Sequence, residues 1–162
     1  MTSTDSAAPT PHYNILVASM TGTAEFVAEE IGFALEQGGA TISQMDMYDL
    51  TPAVFAKPGR FIICSSTYGT GDIPDNAQAF FDSVANEKPD LSHVEYAVFA
   101  LGDRGYRDTF CFGGRRFDAL LASLGATRVL DTYLHDASGD TLPEVDCLDW
   151  IKPLLSSAAA RI

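Results

Sequence analysis

The sequence alternates continuous apolar runs with segments of helical periodicity, and this alternation restricts the possible folds more than any other feature. Four runs stand out: Ile15–Ala18, Phe61–Cys64, Tyr96–Leu101 and the segment from Val129 to Leu134. A continuous apolar run suits a strand that is covered on both faces, which a parallel sheet between two helix layers requires. Residues 41–47 are more polar and predict an edge strand.

Helical segments separate these runs. Apolar residues at i, i+3, i+4 and i+7 spacing predict helices around residues 24–35, 77–84 and 117–124. A fourth helix is predicted from Pro143 to about Ser157, and Pro153 should kink or shorten it. The order predicts an α/β fold, a doubly wound five-stranded parallel sheet between two helix layers. Residues 1–12, rich in Ser, Thr, Ala and Pro, predict a flexible tail before one domain at 13–162.

The charge balance restricts the partners of the protein. Ten Lys and Arg residues against 22 Asp and Glu residues give a formal net charge of −12. Contacts to phosphates require basic residues, so we expect neither nucleic acid nor an anionic membrane surface as a partner. A protein partner with a basic docking face fits better, because opposite electric fields accelerate encounter. The sequence shows neither an apolar span nor a signal peptide, so we expect a soluble, cytoplasmic monomer.

The cysteines and histidines do not form a recognisable metal or catalytic pattern. Cys64, Cys111 and Cys147 are odd in number and lack C-x-x-C spacing, which argues against a disulfide framework and a zinc site. Cys64 lies within an apolar run, which predicts a buried, reduced thiol. The three histidines are dispersed along the chain. We therefore expect no metal site, and we assign no catalytic residue.

The loop after the first predicted strand, residues 19–24, carries three hydroxyl groups and one glycine, and a helix follows it directly. Backbone N–H groups at a helix N-terminus can hold a phosphate without a basic side chain. The loop lacks the lysine of a P-loop and the three glycines of a dinucleotide fingerprint. The structural alternative is a simple N-cap turn, which Ser and Thr also favour.

The loops after the second and third buried runs each present a tyrosine. Tyr68 lies between hydroxyl residues and two glycines, and Tyr106 follows Gly102 and Asp103. Two tyrosines on neighbouring loops can enclose a planar ring and contribute about 0.5–1.5 kcal/mol each beyond their buried area. A phosphate cradle beside an aromatic slot predicts a site for flavin mononucleotide (FMN).

These three loops resemble, in order and spacing, those of the flavodoxins and of the FMN domains of diflavin reductases. The stretches Ser19–Glu25, Ser66–Asn76 and Ala100–Tyr106 carry the resemblance. Residues 73–76, 88–92 and 108–111 look most similar to the MioC-type short-chain flavodoxins. The resemblance spans residues 13–155 and implies the flavodoxin-like strand order 2-1-3-4-5.

The resemblance also implies roles for individual residues. The first loop would hold the FMN phosphate, Tyr68 and Tyr106 would flank the isoalloxazine ring, and the Gly69 carbonyl would accept a hydrogen bond from flavin N5–H after a peptide flip. Backbone groups of the third loop would meet the pyrimidine edge. The predicted cofactor-binding residues are Ser19, Met20, Thr21, Gly22, Thr23, Ala24, Ser66, Thr67, Tyr68, Gly69, Gly71, Leu101, Gly102, Asp103, Tyr106, Phe110 and Cys111.

The sequence therefore predicts an FMN-binding one-electron transfer protein that shuttles electrons between a reductase and a redox enzyme, rather than a self-contained enzyme. Two alternatives stay open: an FMN-dependent NAD(P)H:quinone or flavin oxidoreductase, and a flavin-free interaction module on the same fold. Candidate docking acids beside the predicted flavin edge are Asp72, Asp75, Asp103, Asp108 and Asp136.

Overall fold

The computed structural model describes residues 11–19, 22–66, 75–102, 111–137 and 139–160 of the 162-residue chain. For residues 75, 76, 112 and 156–160 it describes the backbone alone. Of the predicted N-terminal tail, residues 1–10 lie outside this range, and the first strand begins at His12.

Strands and helices alternate along the chain as the sequence predicts. The strands of the described residues are β1 His12–Ala18, β2 Thr41–Asp46, β3 Arg60–Ser65, β4 Glu95–Gly102, β5 Thr127–Arg128 and β6 Tyr133–Asp136. The helices are α1 Thr23–Gln37, α2 Asp75–Glu87, α3 Phe112–Ser123 and α4 Pro143–Ala160, and short 3-10 turns cover Met47–Asp49 and Pro52–Ala56. No helix within the described ranges is long and apolar enough to cross a membrane.

The strands form one parallel sheet in the order β2-β1-β3-β4-β5, with β6 also paired to β4. The predicted order 2-1-3-4-5 is therefore confirmed, and the more polar strand β2 lies at one edge. Because all pairings are parallel, the carboxyl ends of β1, β3 and β4 meet at one edge of the sheet, which we call the carboxyl edge.

The fifth place in the sheet is filled by two short strands rather than by the continuous strand predicted from Val129 to Leu134. Arg128 pairs with Tyr96, and Tyr133 pairs with Phe99. Tyr133 is five positions after Arg128, whereas Phe99 is only three positions after Tyr96, so this segment has two more residues than the part of β4 beside it. Side-chain contacts hold the extra residues away from β4: Thr132 Oγ1 donates to Asp118, and Trp150 Nε1 donates to the Asp131 carbonyl. The prediction missed this interruption because it depends on distant residues.

Apolar side chains cover both faces of the sheet. One face of the core includes Leu16, Ile63 and Val98 together with apolar residues of α2 and α3, and the other includes Ile15 and Phe99 with residues of α1 and α4. This two-sided burial is the reason why the central strands are continuously apolar.

The last helix is longer than predicted, because α4 continues past Pro153 to Ala160. In a regular helix the N–H of residue 153 donates a hydrogen bond to the carbonyl of residue 149, and Pro153 has no N–H to donate. Pro153 is exposed, so water can satisfy that carbonyl. Ile151 and Leu154, on either side of the proline, remain buried in the core and hold the helix against the sheet.

Candidate cofactor site

The three predicted loops begin side by side at the carboxyl edge. Ala18 of β1 is in register with Ser65 of β3, and Ser65 is in register with Ala100 of β4. Neighbouring strands lie about 4.8 Å apart, so the first and third loops start about 10 Å from each other. The fold therefore brings together three segments, the first and last of which are more than 80 positions apart in sequence.

The first loop ends on a glycine that sets the start of α1. Gly22 has φ +91°, a left-handed conformation that favours glycine, and its N–H donates to Ser19 Oγ at 2.8 Å. The first hydrogen bond of the helix runs from Phe26 N–H to the Gly22 carbonyl at 3.0 Å. The N–H groups of residues 23–25 therefore precede the helical hydrogen bonds, at the positive end of the helix dipole.

Two of the predicted phosphate-loop residues contribute in different ways. Thr23 is exposed, whereas the Ala24 side chain is fully buried in the core. The Ala24 methyl group therefore packs in the core and makes no contact with a ligand. Met20 and Thr21 lie outside the described residues.

The second loop is tied to the first at its base. Ser66 N–H donates to the Ala18 carbonyl at 2.9 Å, which extends the β1–β3 ladder by one bond. The buried Ser65 hydroxyl donates to the Ser66 carbonyl at 3.0 Å. The remaining predicted residues of this loop, Thr67, Tyr68, Gly69 and Gly71, lie outside the described residues.

The base of the third loop is closed by contact between Gly102 and Cys111. A Cβ atom on Gly102 would lie 2.4 Å from the Cys111 backbone nitrogen, so a side chain at position 102 would displace that backbone. Cys111 has φ +55°, which is uncommon for a residue other than glycine and is found often at functional sites. Its thiol contacts the Ala100 carbonyl at 3.5 Å and the His135 carbonyl at 3.3 Å. Asp103, Tyr106 and Phe110 lie outside the described residues.

The cysteines are free thiols, and all three are buried. Cys64 is fully buried and free, as predicted, and burial raises the pKa of its thiol. Burial, followed by the negative charges of Glu30 and Glu144, raises the pKa of Cys147 to about 12. The thiols of Cys64 and Cys147 are therefore protonated at neutral pH.

Sequence reasoning missed a buried polar network beside the third loop. His135 is 3% exposed, and its Nδ1 donates to Asp146 Oδ2 at 2.9 Å. The histidine is in register with Leu101, so the network lies next to the loop base. An isolated histidine in the sequence gives no signal of this pairing, since its partner is 11 positions away on another element.

The fold and the three aligned loop bases define a doubly wound α/β domain of the kind that binds a nucleotide phosphate at its first strand–helix turn. The chain belongs to the flavodoxin family, whose family model matches residues 15–150. It is 33% identical to protein MioC of Escherichia coli K12 over 139 residues, a match that covers 85% of this chain and 91% of MioC.

The chain is also similar to part of a larger reductase and to a solved flavodoxin structure. The chain is 38% identical over 144 residues to NADPH–cytochrome P450 reductase of Bos taurus, covering 85% of this chain but 21% of the reductase. Among solved structures, a cysteine variant of the flavodoxin from Pseudomonas aeruginosa superposes with a TM-score of 0.77 at 32% identity, covering 93% of this chain and 97% of that one. The predicted resemblance to MioC-type flavodoxins is confirmed.

Membership of this family implies FMN as the cofactor, and the described residues fit it. The start of α1 offers backbone donors for a phosphate. The absence of a side chain at Gly102 lets the Cys111 backbone pack directly against it, so both backbones lie together at the carboxyl edge. Phosphate binding by backbone groups also suits a chain with few basic residues.

Proposed function

We propose that the protein is an FMN-binding one-electron carrier that transfers electrons between a reductase and a redox enzyme. The observation that carries this proposal is the alignment of three loop bases around backbone donors at the carboxyl edge. Similarity to an FMN-type module that makes up 21% of a P450 reductase supports electron relay as its role. FMN, when bound, accepts and donates electrons one at a time.

Within this proposal, the chain's own residues bind and orient the cofactor. The backbone of Ser19–Ala24 would hold the phosphate, and Tyr68 and Tyr106 would flank the ring. The Gly69 carbonyl would meet N5, and the backbone of Gly102 and Cys111, with Asp103 and Phe110, would meet the pyrimidine edge. We further propose that residues 13–162 form this domain behind a tail at 1–12, and that it acts as a cytoplasmic monomer.

The proposed partner surface lies where α1 and α4 run side by side. The Cys147 thiol of α4 lies 3.9 Å from the Val27 carbonyl of α1. Exposed apolar residues flank this contact: Phe26 is 45% exposed and Leu148 is 36% exposed. With Phe33 and Val145, which are also exposed, they form what we call the α1–α4 strip.

Acidic residues lie on the same two helices as the α1–α4 strip. Glu30 and Glu144 are close enough to Cys147 to contribute to its raised pKa, and Glu29 and Asp149 lie on the same two helices. An apolar centre within an acidic surround favours a partner with apolar and basic groups. A second copy of this chain is disfavoured, because two chains of charge −12 repel each other.

Of the docking acids predicted from sequence, Asp136 lies at the end of β6, Asp75 begins α2, and Asp72, Asp103 and Asp108 lie outside the described residues.

The test is a reductive titration of the purified protein loaded with FMN. A one-electron carrier gives two separated one-electron steps with dithionite and no sustained oxidation of NADPH when it is alone. Sustained NADPH oxidation would instead support the oxidoreductase alternative. Failure to bind FMN would support the flavin-free interaction module.

A further inference from the structure

A buried carboxylate joins the end of β6 to the start of α4. Asp146 accepts hydrogen bonds from His135 Nδ1 at 2.9 Å and from Thr141 Oγ1 at 2.7 Å, and it also accepts one from the Tyr133 hydroxyl. A carboxylate only accepts, so His135 Nδ1 is the donor in this hydrogen bond. His135 and Asp146 have 3% and 10% of their side chains exposed. The network therefore fixes β6 to α4 in a water-poor environment.

The same histidine contacts the base of the third loop through its backbone. Its carbonyl receives the Cys111 thiol at 3.3 Å. Two residues further on, Ala137 N–H donates to the Gly102 carbonyl at 2.8 Å. The position of the end of β6 thus determines where Gly102 and Cys111 lie.

We propose that His135 and Asp146 are positioning residues of the cofactor site, which hold the end of β6 so that Gly102 and Cys111 receive the cofactor. This inference rests on the proposed FMN site. Without the imidazole donor, the end of β6 can separate from α4 and from Gly102 in part of the molecules. Apparent affinity falls in proportion to the fraction of molecules that remain competent to bind. A tenfold fall in that fraction gives about a tenfold higher Kd.

The chain contains a matched control network at the opposite end of β4. Asp118 accepts hydrogen bonds from the hydroxyls of Tyr96 and Thr132 and forms an ion pair with Arg128 at 2.8 Å. Like Asp146, it thus has a tyrosine, a threonine and a nitrogen donor as partners. Tyr96 is six residues before Gly102, about 20 Å along an extended strand. A change at Asp118 therefore perturbs a similar network far from the cofactor site.

The test uses the full chain and four variants: His135→Leu, His135→Asn, Thr141→Val and Asp118→Asn. The measurements are the FMN Kd from quenching of FMN fluorescence, the Tm of the apoprotein, and hydrogen exchange at the Ala137 amide. Asparagine can place an N–H near the position of Nδ1, so it should restore the bond to Asp146. Thr141→Val removes one donor with little change in volume and provides a milder variant should His135→Leu fail to fold.

We expect His135→Leu to raise the Kd about tenfold and Thr141→Val about threefold, with faster exchange at Ala137 in both. His135→Asn and Asp118→Asn should bind FMN within about twofold of wild type, although Asp118→Asn lowers the Tm. The positioning role is overturned if the Kd of His135→Leu and Thr141→Val equals that of wild type while only their Tm falls. It is also overturned if His135→Asn loses as much affinity as His135→Leu. A wild-type protein that does not bind FMN refutes the proposed function instead.

Discussion

Replacing Gly102 by alanine should weaken FMN binding by displacing the base of the third loop. The new Cβ would lie 2.4 Å from the Cys111 nitrogen, whereas ordinary contacts begin near 3.4 Å, so the backbone must move by about 1 Å. Overpacking of this kind costs about 1–3 kcal/mol of stability, or roughly 2–12 °C in Tm for a chain of this size. If the shift removes one or two backbone hydrogen bonds to FMN, each worth about 0.5–1.5 kcal/mol, the Kd rises roughly 2- to 140-fold.

The matched control is Gly59→Ala at the opposite edge of the sheet. A Cβ at Gly59 would lie 2.4 Å from the His12 carbonyl oxygen, and Gly59 has φ +105°, so this variant should lose at least as much stability. Titration of FMN into each apoprotein, followed by fluorescence below both Tm values, separates the two effects. We expect weaker binding in Gly102→Ala and unchanged binding in Gly59→Ala. Equal affinities in both variants would refute the role of the Gly102–Cys111 contact.

Three further predictions follow from the described contacts. Ser19→Ala removes the acceptor of the Gly22 N–H, so FMN binding should weaken by about 1 kcal/mol. Riboflavin lacks the phosphate and should bind to the variant as tightly as to wild type. Parallel titrations with FMN and riboflavin check this. Although burial alone would raise the pKa of Asp146, hydrogen bonds from Thr141, His135 and Tyr133 lower it. Its stabilising effect is therefore present above about pH 4 and is lost as pH falls further, so Asp146→Asn and wild type should differ in urea stability at pH 7 and converge in strong acid. Glu30→Gln with Glu144→Gln should slow reduction of the basic protein cytochrome c by the FMN-loaded chain at low salt and not at 0.5 M salt, as stopped-flow rates would show.

The sequence predicted the parts of the fold that local patterns specify. The buried strands, the helix that ends before Gly38 and the polar edge strand β2 follow from apolar spacing and from glycine punctuation, and the structure confirms them. The interruption between Arg128 and Tyr133 was not predictable, because contacts from α3 and α4 produce it. The length of α4 was wrong for a similar reason, since burial on both sides of Pro153 outweighs its local effect.

The candidate site divides in the same way. The strand–helix turn at Ser19 and Gly22 was predictable, because the hydrogen bond that shapes it is local, whereas the role of these residues in holding a phosphate stays a prediction. The pairing of His135 with Asp146 was not, because it needs the register of β6 against β4 and the packing of α4. The close approach of Gly102 to Cys111 was likewise not predictable, because the two residues are nine positions apart and local patterns do not specify that their backbones come into contact. The roles of Tyr68 and Tyr106 stay predictions.

The central claim is that the protein binds FMN and transfers single electrons. The most direct measurement is the visible spectrum of the purified protein with one equivalent of FMN during stepwise anaerobic reduction. The account predicts flavin bands that sharpen on binding and disappear in two resolved one-electron steps. An unchanged spectrum of free FMN, or a single two-electron step, would contradict it.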